Sequence, residues 1–256
     1  MNEYIMITGA SSGIGRAIAE DLAGEGKPLI LVARRKERLE ELAKRYPEVT
    51  IRSVSCDLSS AVERRGLMDR CSHEGWLIQG LVNNAGLGSQ HRLLDTPEEK
   101  MDSMLDVNIQ ALVELTRFAL PSMVEKKSGW IVNIASTAAF QPVPFFSLYA
   151  STKAFVLHFT EALSEEYRES GVFIGVMCPG PVSTEFQEQA DMGERWFAVS
   201  QRPEEVARAV RRQIEKRQVV AWSSLAQQVT SSLISFFPRS WIRRLAYFIM
   251  LKAGAR

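Results

Sequence analysis

Three observations predict an α/β fold in one domain. Short apolar runs of strand length alternate with longer runs of helical periodicity, from residue 4 to about residue 222, without a linker. The turn Gly9-Ala-Ser-Ser-Gly13-Ile-Gly15 follows the first apolar run and opens the first helical one. Hydrophobic residues make up 46% of the 256, enough to bury a sizeable core. A net charge of +1 gives no general argument for nucleic acid as a partner. Cys56, Cys71 and Cys178 show neither metal-ligand spacing nor a disulfide framework, which fits a reducing cytoplasm and predicts no metal site. No secretory leader is expected, and no run reaches the ~18 uncharged apolar residues that a membrane-spanning helix needs.

Residues 4–8 form the first strand, and an amphipathic helix runs from the glycine turn to about residue 24. A strand, a glycine turn and a helix N-terminus make an anion site, because free N–H groups and the helix dipole meet there. Phosphate is the expected occupant, with a plain helix cap as the alternative. The Gly-x-x-x-Gly-x-Gly spacing, with Ile14 where a P-loop needs lysine, excludes the nucleotide triphosphatase signature.

The second strand, residues 29–33, ends in Ala33-Arg34-Arg35-Lys36. A carboxylate here would accept from the ribose hydroxyls of NAD, whereas arginine matches the 2′-phosphate of NADP. Ala33 accepts nothing and Arg34 follows it, so NADP(H) is preferred over NAD(H). Lys36, Glu37 and Arg38 read as a solvated charge run.

Residues 50–56 form the third strand, with Asp57-Leu58 at its end and a helix to about residue 73. The fourth, 77–82, leads into Asn83-Asn84-Ala85-Gly86, where small residues let backbone approach a flat ligand. A long helix over 101–126 carries Asn108 among apolar neighbours. A buried amide needs partners, which catalysis or capping of its own helix would supply equally well. The fifth strand, 130–135, places Ser136 at the sheet edge where ligands bind in open α/β folds.

The loop 137–147 holds Phe140, Phe145 and Phe146, an apolar set expected to wall a substrate pocket or a subunit contact. A helix over 149–167 puts Tyr149 and Lys153 on one face, four residues apart. The ammonium is expected to favour the phenolate and draw the tyrosine toward working pH as a general acid or base. Alone, the pair is better explained by a solvated face. After the sixth strand, 172–178, Pro179-Gly180-Pro181-Val182-Ser183-Thr184 opens an irregular stretch to about residue 200. With Met192, Trp196 and Phe197 it reads as an apolar lid or a packed loop.

In order, Thr8-Gly9-x-x-x-Gly13-x-Gly15, Asp57, Asn83-Asn84-Ala85-Gly86, Asn108, Ser136, Tyr149-x-x-x-Lys153 and Pro179-Gly180 resemble the short-chain dehydrogenase/reductase family, over residues 4 to about 222. The resemblance implies a Rossmann-like, doubly wound parallel sheet of about seven strands in three α/β/α layers, with the dinucleotide across its carboxyl edge. It implies an NADPH-dependent oxidoreductase with Asn108, Ser136, Tyr149 and Lys153 catalytic. Tyr149 would pass its proton to a carbonyl held by Ser136, Lys153 would lower the tyrosine pKa and hold the ribose, and Asn108 would hold a water. Gly9, Ser11, Ser12, Gly13, Ile14 and Gly15 would surround the pyrophosphate, and Asp57 and Leu58 the adenine. Asn84, Ala85 and Gly86 would line the cofactor, as would Pro179, Gly180 and Val182, with Thr184 on the carboxamide. Substrates would be hydrophobic ketones or alcohols, fatty-acyl, steroid-like or xenobiotic. A homodimer or homotetramer is implied. The competing class is a nucleotide-sensing module without turnover.

Two departures from the family pattern stand out. Ser12 precedes Gly13 where a basic NADP contact is common, so Arg34 and Arg35 carry that inference alone. The tail, residues 223–256, replaces the usual short ending. After Glu215 there are seven basic residues and no acidic one, a charge of +7 that against +1 overall leaves −6 on the rest. Pro238 is expected to split the tail into two short helices. Their apolar residues either cover the substrate cleft or a partner subunit, or lie with the arginines in the headgroups of an anionic membrane.

Overall fold

A computed structural model describes residues 3–192, 200–234 and 236–254. Its centre is a seven-stranded sheet of β1 (Glu3–Thr8), β2 (Leu29–Ala33), β3 (Ile51–Ser55), β4 (Leu77–Asn83), β5 (Trp130–Ile134), β6 (Phe173–Cys178) and β7 (Val220–Trp222). The order is β3-β2-β1-β4-β5-β6-β7 and every pairing is parallel. Parallel strands covered on both faces read as unbroken apolar runs, which is why β2 and β6 are buried from end to end.

The two faces of the sheet are packed separately. On one, Ile7, Leu31, Val132 and Met177 meet Ile18 and Leu22 of α1 (Gly13–Gly24) and Val206 and Val210 of α8 (Pro203–Lys216). On the other, Tyr4, Met6, Ile30 and Ile131 meet Leu67 of α3 (Ala61–His73) and Leu115 and Met123 of α5 (Leu112–Glu125). Successive β1 residues thus point into different cores, as strand alternation requires. The expected three-layer architecture is the observed one.

Three buried polar ties fix the layers. Asn83 Nδ2 donates to Asn133 Oδ1 at 2.9 Å and to Thr116 Oγ1 at 3.1 Å, and Asn133 Nδ2 donates to Thr160 Oγ1 at 2.9 Å. That ladder joins β4 and β5 to α5 and to α6 (Ser147–Glu166). Arg64, 2% exposed, donates to the Leu58 carbonyl at 2.8 Å and to both carboxylate oxygens of Glu114. This pins α3 to α5.

The helix expected over 101–126 is not uniform. It starts as α4 (Glu98–Leu105), passes through a π-helical turn over Asp106–Ala111 and continues as α5. The π turn turns Asn108 toward Leu87, which a regular helix read from sequence does not anticipate. Beyond β7, α9 (Leu225–Ile234) and α10 (Arg239–Lys252) flank Pro238, the expected break. Ala246 and Met250 are buried, while Phe236 (82% exposed), Trp241 (65%) and Phe248 (60%) face solvent.

Candidate active site

A cavity of about 650 Å³ opens at the carboxyl ends of the strands, where β1 and β4 adjoin and the direction of winding reverses. Gly9, Ser11, Ser12, Gly13 and Ile14 line it. Ser12 caps α1 in an extended conformation without a side-chain hydrogen bond to the helix, and the first turn carries no acidic residue. The first-turn N–H groups and the dipole therefore remain available to an anion. Gly15 does not line the cavity. A Cβ there would stand 2.4 Å from Asn84 Nδ2 and 2.5 Å from the Gly9 carbonyl oxygen, so this glycine lets the turn close on β4. Gly13 has φ +55°, and a Cβ on it would lie 2.9 Å from Thr184 Cγ2. Here a bare backbone keeps the two sides of the cleft open to a phosphate.

Arg34, Arg35, Asp57 and Leu58 form one end of the cavity. Arg35 Nη2 donates to Ser12 Oγ at 3.0 Å and to Ser11 Oγ at 3.2 Å. Burial alone would push the Asp57 carboxyl up, but hydrogen bonds from the Ser59 N–H and hydroxyl, with the Arg34 charge, hold it below its ordinary range. Asn84, Ala85 and Gly86 line the floor, and Pro179, Gly180, Val182 and Thr184 the opposite wall. Asn84 Nδ2 is occupied by the Thr8 carbonyl at 2.9 Å. Free N–H groups, bare glycines and two guanidiniums in one cleft fit a dinucleotide phosphate chain.

Ser136, Tyr149 and Lys153 converge at the middle of the same cavity. Ser136 stands two residues beyond β5 and its Oγ accepts from the Ala138 N–H at 3.1 Å, leaving its proton free to donate. Its hydroxyl lies near enough to the Tyr149 phenol to draw that group's pKa down. Tyr149 is held by a stack on Phe146 with ring centroids 4.3 Å apart and by Phe186 at 5.4 Å. Lys153 Nζ donates to the Ile134 carbonyl at 2.9 Å and lies 5.7 Å from the Tyr149 ring centroid.

The electrostatics differ from the expectation drawn from the sequence. Burial pushes Tyr149 up to about 12, and the Ser136 hydrogen bond only partly opposes it. Burial also pulls Lys153 down to about 8. Spacing on a helix reveals the pair but not the desolvation, which is the larger influence on both groups.

Other expected site residues lie elsewhere. Asn108 is buried and does not reach the cavity. Its Oδ1 accepts from the Leu87 N–H at 2.8 Å, and its Nδ2 donates to the Leu87 carbonyl and to Thr152 Oγ1, both at 2.9 Å. Both Nδ2 hydrogens are thus used in fixing Leu87 and α6, while Oδ1 keeps a second acceptor position. Phe146 and Met192 line the cavity as expected. Phe140 instead stacks on Trp222 at 5.8 Å, and Phe145 stacks on Tyr247 at 5.4 Å. Both are turned away by aromatic partners distant in sequence. Trp196 and Phe197 lie outside the described residues.

The tail supplies a further wall, one of the alternatives expected of its apolar residues. Ile242, Leu245, Ala246, Ile249 and Met250 of α10, with Ile234 of α9, line the cavity. Their signal was in the tail: positions 242, 245, 246, 249 and 250 form one helical stripe. Phe186 and Gln187 of α7 (Glu185–Gln189) also face the cavity. Gln187 is 2% exposed and its Oε1 has no hydrogen-bond partner among the described residues.

Comparison with known proteins places this geometry. A family model described as short chain dehydrogenase matches residues 3–195. An uncharacterised oxidoreductase of Staphylococcus epidermidis is 35% identical over 198 residues, 74% of this chain and 82% of that protein. A very-long-chain 3-oxoacyl-CoA reductase of Anas platyrhynchos is 33% identical over 194 residues, 73% of this chain but only 62% of that protein. A short-chain dehydrogenase from Sphingobium yanoikuyae, solved in complex with NADPH, superposes with a TM-score of 0.82 and 29% identity over 92% of this chain and 96% of that one.

Proposed function

The chain belongs to the short-chain dehydrogenase family and is an oxidoreductase acting on CH–OH or C=O groups; on that premise we propose that it is an NADPH-dependent reductase of hydrophobic ketones, or the reverse alcohol dehydrogenase. The observation that carries this reading is the convergence of Ser136, Tyr149 and Lys153 on a cavity with two arginines at one end and an apolar wall at the other. NADP(H), when bound, supplies or accepts the hydride. Arg34 and Arg35 would hold its 2′-phosphate and the turn from Gly9 to Ile14 its pyrophosphate, with Lys153 toward its ribose.

The chain's own groups then divide the remaining work. Ser136 donates its hydroxyl proton to the substrate oxygen, orienting the carbonyl and stabilising charge that develops on it. Tyr149 holds the proton that moves to that oxygen, since a phenol whose ionisation is suppressed by burial is fully protonated at neutral pH. Phe146, Phe186 and the α10 stripe exclude water from the reacting centre. An acyl chain fits this wall, in keeping with the Anas relative's being a very-long-chain 3-oxoacyl-CoA reductase; steroid-like and xenobiotic ketones share its chemistry. Assembly as a homodimer or homotetramer belongs to the same reading, with the exposed Phe155, stacked on Phe159 at 5.5 Å, as an apolar contact on α6.

The test is NADPH oxidation with ketones of graded chain length. The rate is expected to rise with chain length; a sample that binds NADPH yet turns over no carbonyl would overturn the reading.

A second part of the reading concerns place: a cytoplasmic enzyme that touches an anionic membrane through 223–256. Among the described residues no helix is long and apolar enough to cross a membrane. Helix α10 has one apolar stripe on the cavity, yet Trp241, Phe248 and Leu251 are exposed beside Arg239, Arg243, Arg244 and Lys252. Aromatics among cations and no carboxylate suit the headgroup layer of anionic lipid. The full chain should co-sediment with anionic vesicles, with binding that falls as salt rises and is lost when residues 238–256 are removed. Indifference to such vesicles at low salt would leave α10 as a cavity wall only.

A further inference from the structure

The glycine turn, the end of β2 and the segment after β6 meet in an ionic knot around Arg35. Glu185 opens α7. Its Oε2 accepts from Arg35 Nη1 at 2.6 Å, and its Oε1 accepts from Arg38 Nη1. Arg35 is the same residue that donates to Ser11 and Ser12. One guanidinium thus ties partners 24 and 150 positions away in sequence. The three charged side chains are 36 to 39% exposed. A bridge this open adds little to stability and can be exchanged for another anion. The Glu185 carboxyl is held below its ordinary range, by the hydrogen bond from Arg38 first and with Arg35 assisting, so it is anionic at working pH.

A 2′-phosphate held by Arg34 and Arg35 needs one of these guanidiniums, that of Arg35. It carries about two negative charges against one on the carboxylate and offers three acceptor oxygens. Charge-assisted bonds from arginine are directional, so one N–H cannot serve both anions fully. A cofactor without that phosphate leaves the knot untouched. The segment that carries Glu185 also carries Phe186, Gln187 and Met192, which wall the substrate end of the cavity.

We propose, resting on the NADP(H) reading above, that Glu185 is a built-in competitor for the 2′-phosphate: NADP(H) draws Arg35 off this carboxylate, NAD(H) does not, and its release loosens residues 184–192. Glu185 therefore lowers the affinity for the phosphorylated cofactor and couples cofactor identity to the shape of the substrate wall. The coupling is reciprocal, so a substrate that favours the loosened segment tightens NADP(H).

The test uses the full chain and two probes that lack a nicotinamide, adenosine 2′,5′-bisphosphate and adenosine 5′-monophosphate, titrated by calorimetry. In Glu185→Gln the bisphosphate should bind roughly tenfold tighter, the size of one charge-assisted contact no longer contested, with the monophosphate unchanged. In wild type the α7 amides, such as Ala190 N–H bonded to the Phe186 carbonyl at 2.9 Å, should exchange hydrogen faster with the bisphosphate than with the monophosphate, and Glu185→Gln should remove that difference. If wild type prefers the bisphosphate but the variant binds it equally or more weakly, Glu185 is a positioning residue for Arg35 and the proposal falls. If wild type does not distinguish the two probes, the NADP(H) reading itself falls, and this proposal with it.

Discussion

Tyr149→Phe is expected to lower kcat by ~10²-fold or more while NADPH binds as in wild type. The phenyl ring keeps its stack on Phe146 and its contact with Phe186, so the wall of the cavity is retained. Ser136 loses the Tyr149 hydroxyl as a neighbour but keeps the Ala138 N–H and can turn its proton to the substrate oxygen, and Lys153 keeps the Ile134 carbonyl. What goes is the transferable proton. Steady-state rates with a reactive ketone give the first half of the result, and the fluorescence of bound NADPH gives the second. A variant with near-normal turnover would remove Tyr149 from the chemistry.

The pH dependence assigns the remaining roles by sign. Tyr149 is protonated far above neutrality, because burial raises it to about 12. It cannot cause a loss of reductive activity near pH 8. Lys153 can, because burial lowers it to about 8 and its charge disappears above that value. Reductive kcat/KM should hold below about pH 8 and fall above it in wild type. A profile that stays level through that range would mean the lysine charge is not needed for reduction.

The alternation of strands and helices was legible because strands covered on both faces cannot hide their apolar runs. The positions of Ser136, Tyr149 and Lys153 were legible because a strand end and one helix turn fix them locally. Four features were not. Asn108 stands among apolar neighbours in sequence with the partner of its amide left open, and the π turn hands that amide to Leu87, 21 residues earlier. Phe140 and Phe145 look like pocket residues, but Trp222 and Tyr247 claim them across the fold. The α10 stripe had a readable period, yet no local rule says which face meets the cavity. Tertiary contacts decide that: Met250 and Ala246 are buried and Trp241 is not. Glu185 gave no signal at all, since its meaning depends on arginines about 150 residues away.

Arg34→Ala combined with Arg35→Ala is expected to raise the Michaelis constant for NADPH far more than that for NADH. Both side chains line the end of the cavity beyond β2, and Arg35 is already oriented toward the glycine turn by Ser11 and Ser12. A guanidinium held over a phosphate site loses little freedom on binding, so most of each contact appears as affinity. Charge-assisted contacts are worth ~1.5–3 kcal/mol each, roughly tenfold or more apiece. The two losses need not add, since the arginines flank one anion. Folding should survive. Arg38 remains to pair with Glu185, Ser59 remains on Asp57, and an unchanged thermal midpoint would establish it. NADH carries no 2′-phosphate and should lose only the general attraction of two positive charges, which added salt screens. Equal penalties for the two cofactors would make these arginines a solvated surface, whereas a penalty confined to NADPH and insensitive to moderate salt would mark direct contact with the phosphate.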